Sequence, residues 1–254
     1  MSNTTIKAAV KDKYGQIALQ ASSCCGPKCG CGTDSGVAGQ IVFHDLYANV
    51  DPSILTSADL GLGCGTPAEF ADLRPGLTVL DLGSGAGIDV FVAAKAVGTT
   101  GRVIGVDMTP EMIARAEANR EKLGMQNTEF RLGEIEHLPV ESHTVDRILS
   151  NCVINLVPDK RAAFQEMFRV LKPGGSFAVS DIVSVGSIPD QLRSDLSEWA
   201  GCVAGAVERD EYLRIVGEAG FREVRVVRER EYPLEGNTGF RLLSITVTAS
   251  KVPG

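Results

Sequence analysis

The sequence predicts an α/β fold built on a mostly parallel sheet of seven strands, and three observations carry that prediction. From Thr78 onward, short apolar runs alternate with stretches of helical spacing. The first run ends directly in a glycine loop, Asp81-Leu82-Gly83-Ser84-Gly85-Ala86-Gly87. The last two strand patterns follow one another with no helix between them, so the C-terminal strand is expected to run antiparallel. A Cys/Gly-rich segment precedes this core.

Each element has a local reason. Thr78–Leu82 is apolar and short, as a buried strand should be. Ile88–Val97 is apolar at helical spacing. Arg102–Asp107 is a second strand. Thr109 then supplies an N-cap, Pro110 a first-turn proline and Glu111 a first-turn acid, for a helix that Gly124 ends after Leu123. Glu129–Leu132 and Val145–Ser150 are strands three and four. Pro158 opens a helix through Phe164, Met167 and Val170 that Lys172-Pro173-Gly174-Gly175 closes, and Ser176–Ser180 is the fifth strand. Helical patterns recur over Asp190–Trp199 and Arg209–Glu218, and strand patterns over Val224–Tyr232 and Leu242–Ala249. Ahead of the core, Lys11–Leu19 reads as helical and residues 22–39 as a loop. The domain reading is a Cys-containing segment and helical cap over residues 1–60, a ligand-binding core over 61–185, and helices with a final strand pair over 186–254.

The chain has 254 residues, 44% of them hydrophobic and 22% charged, which suits one globular core with small additions. Its net charge of −7 and lack of a basic run argue against a nucleic-acid partner. No stretch reaches the roughly 20 apolar residues of a membrane span, and the N-terminus lacks the apolar run of a signal peptide. The expected location is the cytoplasm. In a reducing compartment the seven cysteines read as ligands or redox thiols before structural disulfides.

A strand followed by glycines lets the backbone turn tightly and approach a ligand. Asp107 ends the next strand, 22 residues after Gly85, where an acid can accept from a ribose diol. The third position of a dinucleotide fingerprint is Ile88 rather than glycine. Asp81, directly before the loop, would repel a pyrophosphate and suits a cofactor carrying positive charge. Over about residues 75–185 these features resemble the Rossmann-like class I methyltransferases that use S-adenosylmethionine. The resemblance implies that Asp81, Gly83, Gly85 and Gly87 lie along the methionine part of the cofactor and that Asp107 holds its ribose. Met108, Glu134 and Ile135 would border the adenine. Three other roles stay open: Gly87 as a glycine that allows helix packing, Met108 as core and Glu134 as a solvated loop acid.

Cys152 follows the fourth strand and should therefore lie at the ligand-binding rim of the sheet. A lone cysteine is ordinarily a small buried hydrophobe, and that reading holds for each of Cys64, Cys152 and Cys202 taken singly. Taken together their settings are specific. Gly63-Cys64-Gly65, Ser150-Asn151-Cys152-Val153-Ile154-Asn155 and Gly201-Cys202-Val203-Ala204-Gly205 resemble motifs of the arsenite methyltransferases, as does Lys13–Ala18 followed by Cys24-Cys25. The resemblance implies that Cys152 and Cys202 bind trivalent arsenic, that Cys64 is a third thiol for binding or redox cycling, and that Asn151 belongs to the cofactor site. It also implies a redox thiol among Cys24, Cys25, Cys29 and Cys31, without choosing between them.

The chemistry implied is methyl transfer from the sulfonium to the arsenic lone pair, with arsenite or its thiol conjugates as substrate. Positioning dominates such a displacement, so His44, His137 and His143 are read as surface or core residues. A thiol reductant, such as glutathione or a thioredoxin, would restore the oxidised thiols. Two competing readings are a methyltransferase for a carbon, nitrogen or oxygen acceptor, and a thiol-rich metal binder on a methyltransferase scaffold.

Overall fold

A computed structural model of the chain describes residues 2–20, 46–47, 50–193, 199, 204–232 and 239–253. The predicted thiols Cys24, Cys25, Cys29, Cys31 and Cys202, and His44, lie outside the described residues.

Seven strands form one sheet: β1 Thr78–Leu82, β2 Arg102–Asp107, β3 Thr128–Leu132, β4 Val145–Asn151, β5 Leu171–Val185, β6 Arg222–Tyr232 and β7 Arg241–Ser250. Their order across the sheet is β3-β2-β1-β4-β5-β7-β6. β1 pairs parallel with β2 and β4, β2 with β3, and β4 with β5. β7 runs antiparallel to both neighbours, as the missing helix between the last two strand patterns predicts. The chain leaves β1 toward β2 and β3, then returns to place β4 on the other side of β1. That reversal between β1 and β4 opens a crevice at the carboxyl ends of the strands.

Alternation along β1 divides its side chains between two apolar layers. Val79 packs with Ile54 and Ala58 of α2 (Pro52–Ala58) and with Val90, Phe91 and Val97 of α3 (Ile88–Val97). Leu80 and Leu82 face Phe164 and Met167, which the helix after β4 contributes. Val79, Leu80 and Leu82 of β1 and Val90, Phe91 and Val97 of α3 are all apolar and buried, and fully burying a large apolar side chain stabilises by about 1.5–3 kcal/mol. Between β2 and β3 lies α4 (Pro110–Leu123), which ends on Gly124 at φ +65°, its N–H returned to the carbonyls of Arg120 and Glu121.

Two boundaries after β4 depart from the sequence reading. The helix after β4, α5, spans Lys160–Val170 and not from Pro158, because Asp159 caps it by accepting from Ala162 N at a side-chain oxygen (2.9 Å). Lys172-Pro173-Gly174-Gly175 is not a loop between helix and strand. It is an irregularity inside β5, where the register against β4 shifts between Val145 and Arg147 and Gly174 takes φ +81°. Of the helix expected from Asp190, the described part is α6, Asp190–Arg193; α7, Arg209–Glu218, matches its expectation.

The N-terminal helix α1 covers Asn3–Gln20, longer than the pattern over Lys11–Leu19. Ser2 starts it, with Oγ accepting from Thr5 N (3.2 Å). Ile6, Val10 and Ala18 form a buried stripe at helical spacing. The helix lies across α4, where Arg115 Nη1 donates to the carbonyl of Ala18 (2.9 Å) and Gly15 passes close to Glu111.

Candidate active site

The crevice at the strand ends is an open cavity of about 1060 Å³, mouth included. The loop after β1, the ends of β2 and β4, the turn after β3 and one side of α1 form its walls. Gly83 (φ +64°) and Gly87 (φ +98°) are left-handed and tightly packed: a Cβ on Gly83 would strike Val153 at 2.4 Å, and one on Gly87 would strike Phe91 at 2.7 Å. Gly85 is different. At φ +50° it has nothing within 4 Å of a Cβ position, so its backbone edge is open to a ligand. Asn119 of α4 steadies the loop by donating to the carbonyl of Ala86 (3.0 Å). Gly87 does not reach the cavity wall; it lets the loop enter α3.

Three carboxylates crowd this wall. Asp81 is buried, and its carboxyl is pushed well above the ordinary range, first by burial and then by the charges of Asp89 and Asp107. Asp107 accepts from Gly85 N (3.0 Å) and Thr109 N (2.8 Å), yet burial still raises it. Thr109 therefore closes an Asp turn ahead of α4 without capping the helix through its hydroxyl. Asp89, in the first turn of α3, is raised to about 6 by burial, although Asn151 and Tyr47 both donate to its Oδ2 (3.1 and 3.0 Å). Its Oδ1 is buried with no hydrogen-bond partner among the described residues. Such a wall disfavours an anion and gains from a cationic group.

Met108 and Ile135, which the resemblance places beside the adenine, line the cavity. Glu134 does not. It turns outward to Lys7 (2.7 Å) and Lys11 (3.5 Å) of α1. Two residues on, Glu136 takes the place on the wall, itself paired with Lys7 at 3.0 Å. Burial lowers the Lys7 ammonium, but bonding to Glu134 and Glu136 outweighs this and leaves it above its usual value. Lys7, Val10 and Tyr14 thus bring α1 over the cavity as a cover.

Cys152 lies at the rim and lines the cavity. Its φ of +61° is left-handed, a conformation that costs a non-glycine residue about 1–2 kcal/mol. The N–H still donates to Ser180 O of β5 (2.8 Å), so the residue ends β4 and turns the chain into the tight helical turn Ile154–Leu156. Cys64 is off the cavity wall, although its neighbours Leu62 and Gly63 are on it. Both cysteines are buried, and both belong to one apolar cluster with Leu156, Ile182, Ile188, Ala206 and Leu242. Asn151 lines the cavity beside them and holds the Cys64 segment through its side chain. His137 and His143 are absent from the wall; His143 sits near Lys251 Nζ (3.0 Å) at the amino ends of β4 and β5.

Fold and site define a methyltransferase domain. The family model of that description matches residues 73–220, and the chain belongs to this family. Within it, the family is that of the arsenite methyltransferases. The chain is 43% identical over 95% of its length to an arsenite methyltransferase of Halobacterium salinarum, and 37% identical over 87% to one of Aquipseudomonas alcaligenes. It spans 66% and 64% of the length of these two relatives. A crystal structure of an arsenic(III) S-adenosylmethionine methyltransferase from Chlamydomonas reinhardtii superposes with a TM-score of 0.71 at 36% identity, covering 85% of this chain and 76% of that one.

Proposed function

We propose that the chain transfers a methyl group from S-adenosylmethionine to trivalent arsenic held by the thiolates of Cys64, Cys152 and Cys202. The observation that carries this reading is the position of Cys152. It lines the acid-walled cavity and also shares an apolar cluster with Cys64, so a soft ligand site adjoins a site for a cationic ligand. Trp199 and Ala206, which flank Cys202 in sequence, pack in the same cluster.

When bound, S-adenosylmethionine supplies a methyl group activated by a sulfonium. Asp107 would accept from the ribose hydroxyls with the lone pairs left beyond Gly85 and Thr109. Gly85 offers an unobstructed backbone edge, Met108 and Ile135 would flank the adenine, and Asp81 with Asp89 would face the cationic end. The cysteines displace hydroxide or thiol ligands from arsenic and leave its lone pair toward the cavity. The arsenic lone pair would take the methyl group, the carbon–sulfur electron pair going to the sulfur. Arsenic is then formally pentavalent. Two thiols becoming a disulfide return two electrons to it, and an external thiol of the glutathione or thioredoxin class restores them. Cys24, Cys25, Cys29 and Cys31 serve this redox step, and the cytoplasm is the compartment that supplies the reductant.

The test is incubation with methyl-labelled S-adenosylmethionine, arsenite and a dithiol, followed by separation of the arsenic species. Label in methylated arsenic supports the reading. Cofactor binding without any arsenic-linked label, in protein whose cysteines are reduced, overturns it in favour of another acceptor.

A further inference from the structure

The geometry points to Asn151 as a positioning residue that couples occupancy of the cofactor cavity to the Cys64 thiol. The inference rests on the reading that the cavity takes S-adenosylmethionine. Asn151 ends β4, and its side-chain oxygen accepts from the backbone N–H groups of Cys64 (3.1 Å) and Gly65 (3.2 Å). Its Nδ2 has three acceptors for two protons: Gly65 O at 2.8 Å, Tyr47 Oη at 2.9 Å and Asp89 Oδ2 at 3.1 Å. One amide therefore touches both the cysteine segment and the cavity acid.

The cysteine segment has a fixed side and an adjustable side. On the sheet, Ser244 Oγ of β7 donates to the carbonyl of Cys64 (2.6 Å), and Gly65 is pressed so close to Ser180 that a Cβ would lie 2.4 Å from its hydroxyl. Farther along, Arg228 of β6 binds Thr66 and Glu69, both at 2.9 Å. Toward the cavity, the contact is Asn151, packed so that a Cβ on Gly63 would meet Nδ2 at 2.9 Å. How firmly that contact holds depends on how the Nδ2 protons are shared.

Asp89 decides the sharing. Its Oδ1 is buried without a partner among the described residues and belongs to the cavity wall, while its Oδ2 takes the Asn151 proton. A cation beside Oδ1 keeps this carboxylate ionised and strengthens the charge-assisted bond from Asn151. The amide plane is then fixed, and with it the oxygen that receives Cys64 N–H. Coupling of this kind is reciprocal, so a ligand that fixes Cys64 tightens cofactor binding by the same factor. It also gives an order to events: the thiol site is best formed after the methyl donor is in place.

The test is the rate at which N-ethylmaleimide alkylates Cys64 and Cys152 in the whole chain, resolved by peptide mass, with and without saturating S-adenosylmethionine and without arsenic. Calorimetry establishes saturation for each variant. In the parent both thiols should slow, Cys152 because the ligand covers it directly and Cys64 by about tenfold through its segment. In Asn151→Ala at saturation, Cys152 should stay protected while Cys64 alkylates within about twofold of the ligand-free rate. Should that variant not fold, Asp89→Asn leaves Asn151 and the segment in place and should likewise uncouple Cys64. Cys64 protected equally in parent and variants, or unprotected in the parent while Cys152 is covered, overturns the coupling and leaves the cofactor reading standing. Calorimetry without binding by the parent, and neither thiol protected, overturns that reading and the coupling with it.

Discussion

At the scale of single residues, the proposed function gives Asp107 the ribose and Asp89 the cationic end of the methyl donor. Asp107 already binds Gly85 N and Thr109 N, so Asp107→Ala removes a ribose acceptor and loosens the glycine loop. Two charge-assisted bonds at partial additivity are worth about 2–4 kcal/mol, and S-adenosylmethionine should bind about 30- to 700-fold more weakly by calorimetry. An unchanged affinity would remove Asp107 from the site. Asp89 makes binding depend on pH. Its carboxyl titrates at about 6 in the folded protein against an ordinary 3.8, so it is largely neutral at pH 5 and ionised at pH 7.5. Affinity for the cation should rise across this interval, with a proton released below pH 6 that buffers of different ionisation enthalpy will reveal; Asp89→Asn should flatten the rise. The sign for stability is opposite. Between about pH 4 and 6 the folded state holds a proton that the unfolded state has lost, so the ligand-free protein loses stability as pH rises through that window. The sequence reveals Asp107 through its spacing from the loop, yet hides Asp89. An acid in the first turn of a helix reads as a partner for the helix dipole, and only the fold turns it toward the cavity. Tyr47 is hidden for another reason, since it lies in a stretch with no periodicity.

At the scale of elements, the cover that α1 forms over the cavity is held by a few charges and an apolar stripe. Lys7 joins Glu134 and Glu136 at 2.7 and 3.0 Å, and Ile6 and Val10 enter the cluster that contains Cys64 and Cys152. The ion pairs are partly exposed, so each contributes little alone. Reversing the charge sets like charges against one another instead. Lys7→Glu should free α1 at a cost of about 1–2 kcal/mol, seen as faster hydrogen exchange over residues 6–18 and about tenfold weaker cofactor binding with the sheet's exchange unchanged. Exchange in α1 that matches the parent would mean the stripe alone holds it. The sheet was legible because buried parallel strands are continuous apolar runs between turn signals, and Thr78–Leu82 is such a run. β5 was legible only at its centre. Lys172-Pro173-Gly174-Gly175 carries every local mark of a loop, and pairing with β7 from Ser176 to Val185 extends the strand far beyond its apolar middle. The exchange of Glu134 for Glu136 on the wall is a matter of register after β3, and residues two apart cannot be separated by pattern alone.

At the scale of the whole molecule, segments far apart in the chain converge on one apolar cluster: α1, the Cys64 segment, the end of β4, and the chain around Ala206. In the proposed function Cys64, Cys152 and Cys202 supply the arsenic thiolates from separate stretches of the chain, so Cys152→Ser and Cys202→Ser should each abolish arsenite methylation while leaving folding and cofactor affinity near the parent's. Methylation at the parental rate would return that cysteine to the role of a buried small hydrophobe. In the proposed function the N-terminal thiols belong to a later step. Deleting residues 1–35 would be the direct way to remove them, but it also removes α1 and with it Lys7, Val10 and Tyr14 from the cavity wall, so cofactor binding and redox function would fail together. Replacing Cys24, Cys25, Cys29 and Cys31 together by serine separates the two. If these thiols pass oxidation from the site to an external reductant, a single turnover onto thiol-bound arsenic should proceed near the parental rate, whereas steady-state turnover should fall about tenfold or more as oxidised site thiols accumulate. One serine among the four should matter less, because adjacent thiols substitute for one another in disulfide exchange. Equal loss in both regimes would instead place the cluster in substrate binding, and no loss in either would remove it from the reaction cycle.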